Sequence, residues 1–251
     1  MKKVTVISAL LVIVISTGAS GQPAATRLSG AVTDPMSWVV PETTVVLRDT
    51  QTNKQWKNRT DATGRYTFNG LRDGEYVLEI ERAGFNAVRQ NIAVVGPETH
   101  RELQLQLGSA SEQVMVTTDS WDVSPQLMRT MPQLPRTMPL RRLPKAGAPK
   151  CGAESIANRT GGQVVEPRKT GHANPIYPAE AVANRREGRS RVEGVISAKG
   201  TMTNLTVLES TSPEFARAAL DAVSLWEFDP KYLNCVPVET KLTVTMNFRK
   251  Q

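Results

Sequence analysis

Histidine and cysteine are scarce, with two of each among 251 residues. His100 and His172 stand far apart, and neither has a neighbour at metal-ligand spacing. The chain has no His-Glu-x-x-His, no Gly-x-Ser-x-Gly and no phosphate-binding glycine loop. Such a sequence offers neither a metal centre nor a nucleophile with its base, so it reads as no enzyme and as needing no cofactor. His172 is read as a loop residue. Asn58, Asn158 and Asn204 open Asn-x-Thr triplets, a pattern of low specificity. Beyond residue 21 no apolar run approaches the ~20 residues of a membrane-spanning helix.

What is present at the start is a targeting pattern. Met1, Lys2 and Lys3 precede an apolar run from Val4 to Ile15, and Ala19-Ser20-Gly21 closes it with small residues. Residues 1–21 are expected to be a secretory signal peptide, with a short uncleaved anchor as the alternative. Either way the rest belongs to the periplasm or cell envelope, membrane-anchored or secreted. In that oxidising setting Cys151 and Cys235 are a candidate disulfide; the competing reading is two unpaired small residues. The net charge of +7 gathers in one stretch, where Arg129, Arg136, Arg141, Arg142, Lys145 and Lys150 have no acidic neighbours. Basicity in a linker, without a recognition motif, argues against nucleic acid as a partner.

Residues 27–107 read as an all-β sandwich. Short apolar runs over 28–33, 43–49, 54–60, 65–68, 75–81, 88–95 and 101–107 alternate with turn signals such as Asp61-Ala62-Thr63-Gly64. Gly30-Ala31-Val32-Thr33-Asp34, Thr60-Asp61-Ala62-Thr63-Gly64-Arg65-Tyr66, Leu71-Arg72-Asp73-Gly74-Glu75-Tyr76 and Ala83-Gly84-Phe85 resemble a carboxypeptidase regulatory-like domain. That resemblance implies a small prealbumin-like, Ig-like sandwich that serves as an accessory unit, related to carbohydrate-binding-like folds. Asp34 to Pro41 departs from the pattern, where relatives have a glycine-containing turn. Trp38 and Trp56 are candidate stacking platforms for a glycan, against the plainer reading of packing residues.

Proline recurs from residue 119 to 150, interleaved with the basic residues, and no apolar periodicity survives there. The stretch is expected to be an extended spacer. A second unit is expected over 151–251, in the order helix, strand, strand, helix, strand, hence α+β. Pro178 precedes a short helix over 179–186. Strands over 191–198 and 202–209 flank Lys199-Gly200, and Thr211 or Ser212 caps a helix carrying Phe215, Ala219, Ala222, Val223 and Trp226 on one stripe up to Asp229-Pro230. The last strand puts Val238, Thr240, Leu242, Val244, Met246 and Phe248 on one face, with polar residues between them.

Asn174-Pro175-Ile176-Tyr177-Pro178, Trp226-Glu227-Phe228-Asp229-Pro230 and Val244-Thr245-Met246-Asn247-Phe248 resemble the TonB C-terminal domain. The resemblance implies an energy transducer that couples to outer-membrane receptors. Its peptide partner is a TonB-box-like segment of a receptor, added as a strand to an open terminal edge, and inner-membrane motor proteins are implied as further partners. Carried over position by position, the peptide readers are Asn174, Pro175, Tyr177 and Pro178 together with Thr240, Leu242, Val244, Met246 and Phe248. Where many relatives have glycine after a Leu-Asn pair, this chain has Cys235, which with Cys151 strengthens the expectation of a bridge. The alternative function is a secreted module that binds glycans or envelope proteins. Finally, Glu112-Gln113-Val114-Met115-Val116-Thr117 has the form of a box peptide. It reads either as the sandwich's last strand, which the frequency of such strands favours, or as a decoy for the terminal edge.

Overall fold

A computed structural model describes residues 26–117 and 140–249; the expected leader and residues 119–139 of the expected spacer lie outside the described residues. The fold is mostly β, with an N-terminal sandwich and a C-terminal α+β unit. The sandwich contains β1 (Thr26–Thr33), β2 (Thr44–Asp49), β3 (Gln55–Arg59), β4 (Arg65–Leu71), β5 (Gly74–Ile80), β6 (Val88–Val94), β7 (Glu98–His100) and β8 (Leu103–Gln104). One sheet runs β3-β2-β5-β6, antiparallel throughout. In the other, β1 pairs antiparallel with β4 and parallel with β7 and β8. Alternating side chains such as Leu28 and Val32, Tyr66 and Phe68, Val45 and Leu47, Leu78 and Ile80 fill the space between them.

The expected strand over 101–107 is interrupted. Gly30 of β1 passes so close to Arg101 that a Cβ there would lie 1.7 Å from the Arg101 carbonyl oxygen. Of that stretch only β8 is a strand, with Leu107 in an isolated bridge to Phe85, while β7 lies ahead of Arg101 on the same neighbour, β1. The Arg101 carbonyl accepts the Tyr66 hydroxyl at 2.7 Å.

Strand β9 (Ala110–Thr117) leaves the sandwich altogether. After it come β10 (Arg141–Arg142), α1 (Ala153–Ala157), β11 (Val164–Val165), β12 (Arg168–His172), α2 (Ala179–Ala183), β13 (Gly188–Ile196), β14 (Met202–Ser210) and α3 (Pro213–Val223). The chain ends with β15 (Glu227–Asp229), β16 (Lys231–Leu233), β17 (Val236–Val238) and β18 (Thr240–Arg249). The main C-terminal sheet runs β14-β13-β18-β9, with α3 packed over β13 and β14. Gly200 makes the β13–β14 turn at φ +81°.

Three local expectations are corrected. The end of the spacer is not free, because β10 pairs with β12 and Arg142 forms a 2.9 Å ion pair with Glu227. Helix α3 stops at Val223, short of Asp229-Pro230: the Trp226 amide turns back to the Val223 carbonyl, and Glu227–Asp229 is drawn into β15 beside β12. Ser212 occupies the N-cap of α3 without a side-chain capping bond, while the Thr211 hydroxyl is taken by the backbone of Arg189.

The two units interlock. Leu233 is buried in the sandwich core, with Val164 and Val238 packed against it, so Val238 belongs to the β16–β17 hairpin and not to the terminal strand. Lys231, 1% exposed, donates to the carbonyls of Gly84 (3.3 Å) and Gly108 (2.8 Å) and pairs with Glu166 at 3.3 Å. Cys151 and Cys235 are joined by a disulfide.

Candidate peptide-binding edge

Strand β18 alternates along its whole length. Thr240, Leu242, Val244, Met246 and Phe248 are buried, whereas Lys241 and Arg249 are exposed. The side chains of these five expected readers therefore serve the domain's own core. Phe248 lies against Phe215 (ring centroids 4.8 Å) and meets Tyr177 edge to face at 5.7 Å. Tyr177 is also buried, and its hydroxyl donates to the Arg186 carbonyl at 2.7 Å. Pro175 is buried, Pro178 is half-buried at the N-cap of α2, and Asn174 is exposed. What β18 can offer a partner is its backbone.

On one side that backbone pairs antiparallel with β13 from Thr240 to Phe248. The other side, expected to be open, is occupied by the chain itself. Residues Ala110 to Thr117 run parallel to β18, from Ala110 opposite Leu242 to Thr117 opposite Arg249. The segment that strand frequency assigned to the sandwich is in this sheet instead. The chain is steered there from Gly108, whose carbonyl is held by Lys231, and the alternation of β9 then suits the new seat. Val116 is buried in the C-terminal core, Ala110 and Val114 pack against it, and Met115 on the opposite face is 56% exposed.

One inward residue of β9 is charged. Glu112 forms an ion pair with Lys169 of β12. The Lys169 ammonium also sits 3.4 Å from the centroid of the Trp226 ring and 3.1 Å from Nδ1 of His172. Trp226 is buried, and its indole N–H donates to the Ala173 carbonyl at 2.9 Å. His172 ends a strand, which corrects its reading as a loop residue. Its Nε2 lies 2.5 Å from Oδ1 of Asn174, and its ring is 5.2 Å from that of Trp226. Burial pushes the Lys169 pKa down, against the upward pull of Glu112. Burial, then the Lys169 charge, push His172 below its ordinary 6.5, against Asn174 and Glu112. Beside these groups a depression of about 450 Å³ is lined by Arg141, Leu143, Lys169, Thr170 and His172.

Lys169 escaped the sequence reading because Arg168–His172 has no apolar alternation to announce a strand. The stacking platforms expected in the sandwich are half-buried. Trp56 packs on Tyr76 at 5.9 Å with Lys54 over its ring, and the Trp38 amide donates to Asp34.

Comparison with known proteins agrees with this architecture. Residues 173–249 match the family model of the Gram-negative bacterial TonB protein C-terminal, and residues 27–108 match that of the carboxypeptidase regulatory-like domain. The chain is a two-module protein, a prealbumin-like sandwich fused to an α+β unit. That second unit is a TonB C-terminal domain. Protein TonB of Yersinia enterocolitica is 32% identical over 87 residues, 34% of this chain and 32% of that protein, so the chain spans about a third of this relative's length. The solution structure of the Pseudomonas aeruginosa TonB C-terminal domain is 29% identical over 34% of this chain and 86% of that one, with a TM-score of 0.30. A putative carbohydrate binding protein of Pseudomonas aeruginosa is 14% identical over 34% of this chain and 92% of that one, with a TM-score of 0.28. Among the described residues no helix is long and apolar enough to cross a membrane.

Proposed function

We propose that this chain is an exported, non-enzymatic coupling protein of the bacterial envelope. Its C-terminal domain takes an extended segment of an outer-membrane receptor, a TonB-box-like peptide, as an added strand beside β18. One observation carries this reading: the lane along β18 already holds an eight-residue strand, paired in register from end to end. A lane that fits the backbone of residues 110–117 fits any extended backbone whose inward side chains are compatible. Thr240, Leu242, Val244, Met246 and Phe248 support that lane from within the core, and Tyr177 supports them in turn. Asn174, Pro175 and Pro178 are proposed as further contacts for the incoming peptide. Inner-membrane motor proteins are the proposed second partner, engaged through residues 1–21 where these are retained as an anchor.

Each backbone hydrogen bond nets ~0.5–1.5 kcal/mol, so a short strand binds modestly and the resident strand competes effectively. The test is titration of a receptor box peptide into two chains: the intact protein and one in which residues 110–117 are replaced by an equally long Gly/Ser stretch. Tighter binding to the replaced chain is expected. No binding to either overturns the proposal.

A further inference from the structure

The strand in the lane beside β18 tells the domain little through most of its side chains. Ser111, Gln113 and Met115 point outward, and Ala110, Val114 and Val116 make non-directional apolar contacts. Glu112, opposite Val244, is different. Its carboxylate meets an ammonium that the C-terminal domain holds ready. The Lys169 side chain is 17% exposed, lies against the face of the Trp226 ring, and is flanked by His172, which Asn174 holds. Trp226 is itself pinned by its bond to the Ala173 carbonyl. These groups all lie on residues 169–226, so the seat does not depend on the segment that fills it.

A half-buried ammonium on an aromatic face keeps part of its stabilisation from the ring. It has lost much of its water, however, and a strand lying over it without a carboxylate would remove more and return nothing. A site built around a charge discriminates far more strongly than one built on aliphatic contact, because the wrong ligand leaves the charge unpaired.

We infer that Lys169 is the specificity-determining residue of this lane. The partner it selects is an extended peptide in parallel register, with a carboxylate opposite Val244 and aliphatic residues two and four positions further on. Residues 110–117 meet that description and are the chain's own occupant, which an incoming strand must displace. The inference rests on strand addition beside β18 and adds the chemistry that decides which strand is accepted.

The probes are a synthetic ten-residue copy of residues 109–118 and its counterpart with glutamine in place of the glutamate. The host is the full chain with residues 110–117 replaced by Gly/Ser. The glutamate peptide is expected to bind at least about tenfold more tightly than the glutamine peptide, as a charge-assisted hydrogen bond would give. Adding Lys169→Met should abolish the preference, and Lys169→Arg should retain it. In the otherwise native chain, Glu112→Gln should admit the glutamate peptide several-fold more readily than wild type. Should Lys169→Met fail to fold, the two peptides on the replaced host decide alone. Equal affinity for both peptides overturns the role of Lys169 and leaves strand addition standing. Failure of both peptides to bind the replaced host and the Glu112→Gln chain overturns both.

Discussion

Asn234 donates from Nδ2 to Oδ2 of Asp34 at 2.5 Å, across 200 residues of sequence and from one unit of the protein to the other. Asp34 is fully buried, and among the described residues it forms no ion pair. It is held by donors instead: the amides of Met36 (2.8 Å), Trp38 (3.0 Å) and Gly162 (3.3 Å) together with Asn234. A buried carboxylate is tolerable when its lone pairs are filled in this way. The same loop that departs from the sandwich pattern in sequence, Asp34 to Pro41, is thus where the C-terminal unit is received.

Removing Asn234 leaves that carboxylate short of a donor. Asn234→Ala should cost about 1–3 kcal/mol of unfolding free energy, and Asp34→Asn, which turns an NH2 donor toward donors in place of an acceptor oxygen, at least as much. Urea denaturation followed by tryptophan fluorescence measures both.

The residue after Asn234 is Cys235, and the two sit at φ +50° and +65° in the β16–β17 turn. Positive φ at both central residues is the type I′ demand, which suits Asn and Gly but not Cys. The disulfide closes a loop between residues 84 apart. The chain-entropy model gives about 4–5 kcal/mol for such a loop, and measured values typically fall nearer 2–4. Cys151→Ser with Cys235→Ser should lose an amount in that range. Cys151→Ser with Cys235→Gly should recover about 1 kcal/mol of it by relieving the turn. Unfolding of both variants beside the oxidised parent checks this.

Gly200 is at φ +81°, and a Cβ there would lie 1.9 Å from the Phe228 carbonyl oxygen. That atom is backbone, belonging to β15, whose Phe228 amide bonds the Gly200 carbonyl at 2.8 Å. Gly200→Ala should therefore destabilise by about 2 kcal/mol or more, combining left-handed strain with a clash that no side-chain rotation relieves. Thermal unfolding is the measurement. Gly70, also at positive φ but with open space around its Cβ position, provides the control with strain alone.

His172 has a lowered pKa in the folded chain, chiefly through burial and next through Lys169. A base depressed by folding binds fewer protons in the native state than in the unfolded state. Its contribution to stability is complete above the unfolded value of about 6.5 and is lost as pH falls through the lowered folded value. Lys169 and Glu112 are the charged groups in direct reach, and Arg141 faces His172 across the β10–β12 pair. Stability should decline as the pH falls below about 6.5, the ordinary value, and His172→Gln should flatten that decline. Urea midpoints measured from pH 8 to 5 test it.

Sequence pattern located the elements where one face is buried and the other wet. Strand β18 is the clearest, with five alternating core residues from Thr240 to Phe248. The β13–β14 hairpin at Gly200 and helix α3 were legible for the same reason. Pattern failed where pairing is set by partners remote in sequence. Strand β12 exists because β10 and β15 flank it, and its residues Arg168 to His172 carry no periodicity. The destination of β9 was ambiguous because an alternating strand fits either sheet. Lys231 at Gly108 directs it, and a buried lysine bonded to two carbonyls has no sequence signature. The inward alternation of Leu242 and Met246 was legible in the sequence, whereas the strand that lies against the backbone of β18 was not.

Hydrogen–deuterium exchange across residues 240–249 tests most directly whether β18 accepts a foreign strand. The full chain with residues 110–117 replaced by Gly/Ser should exchange these amides faster than the native chain. Addition of an extended peptide with a correctly placed carboxylate should slow them again. Unchanged exchange on adding saturating peptide, with the domain still folded, would contradict strand addition at this edge.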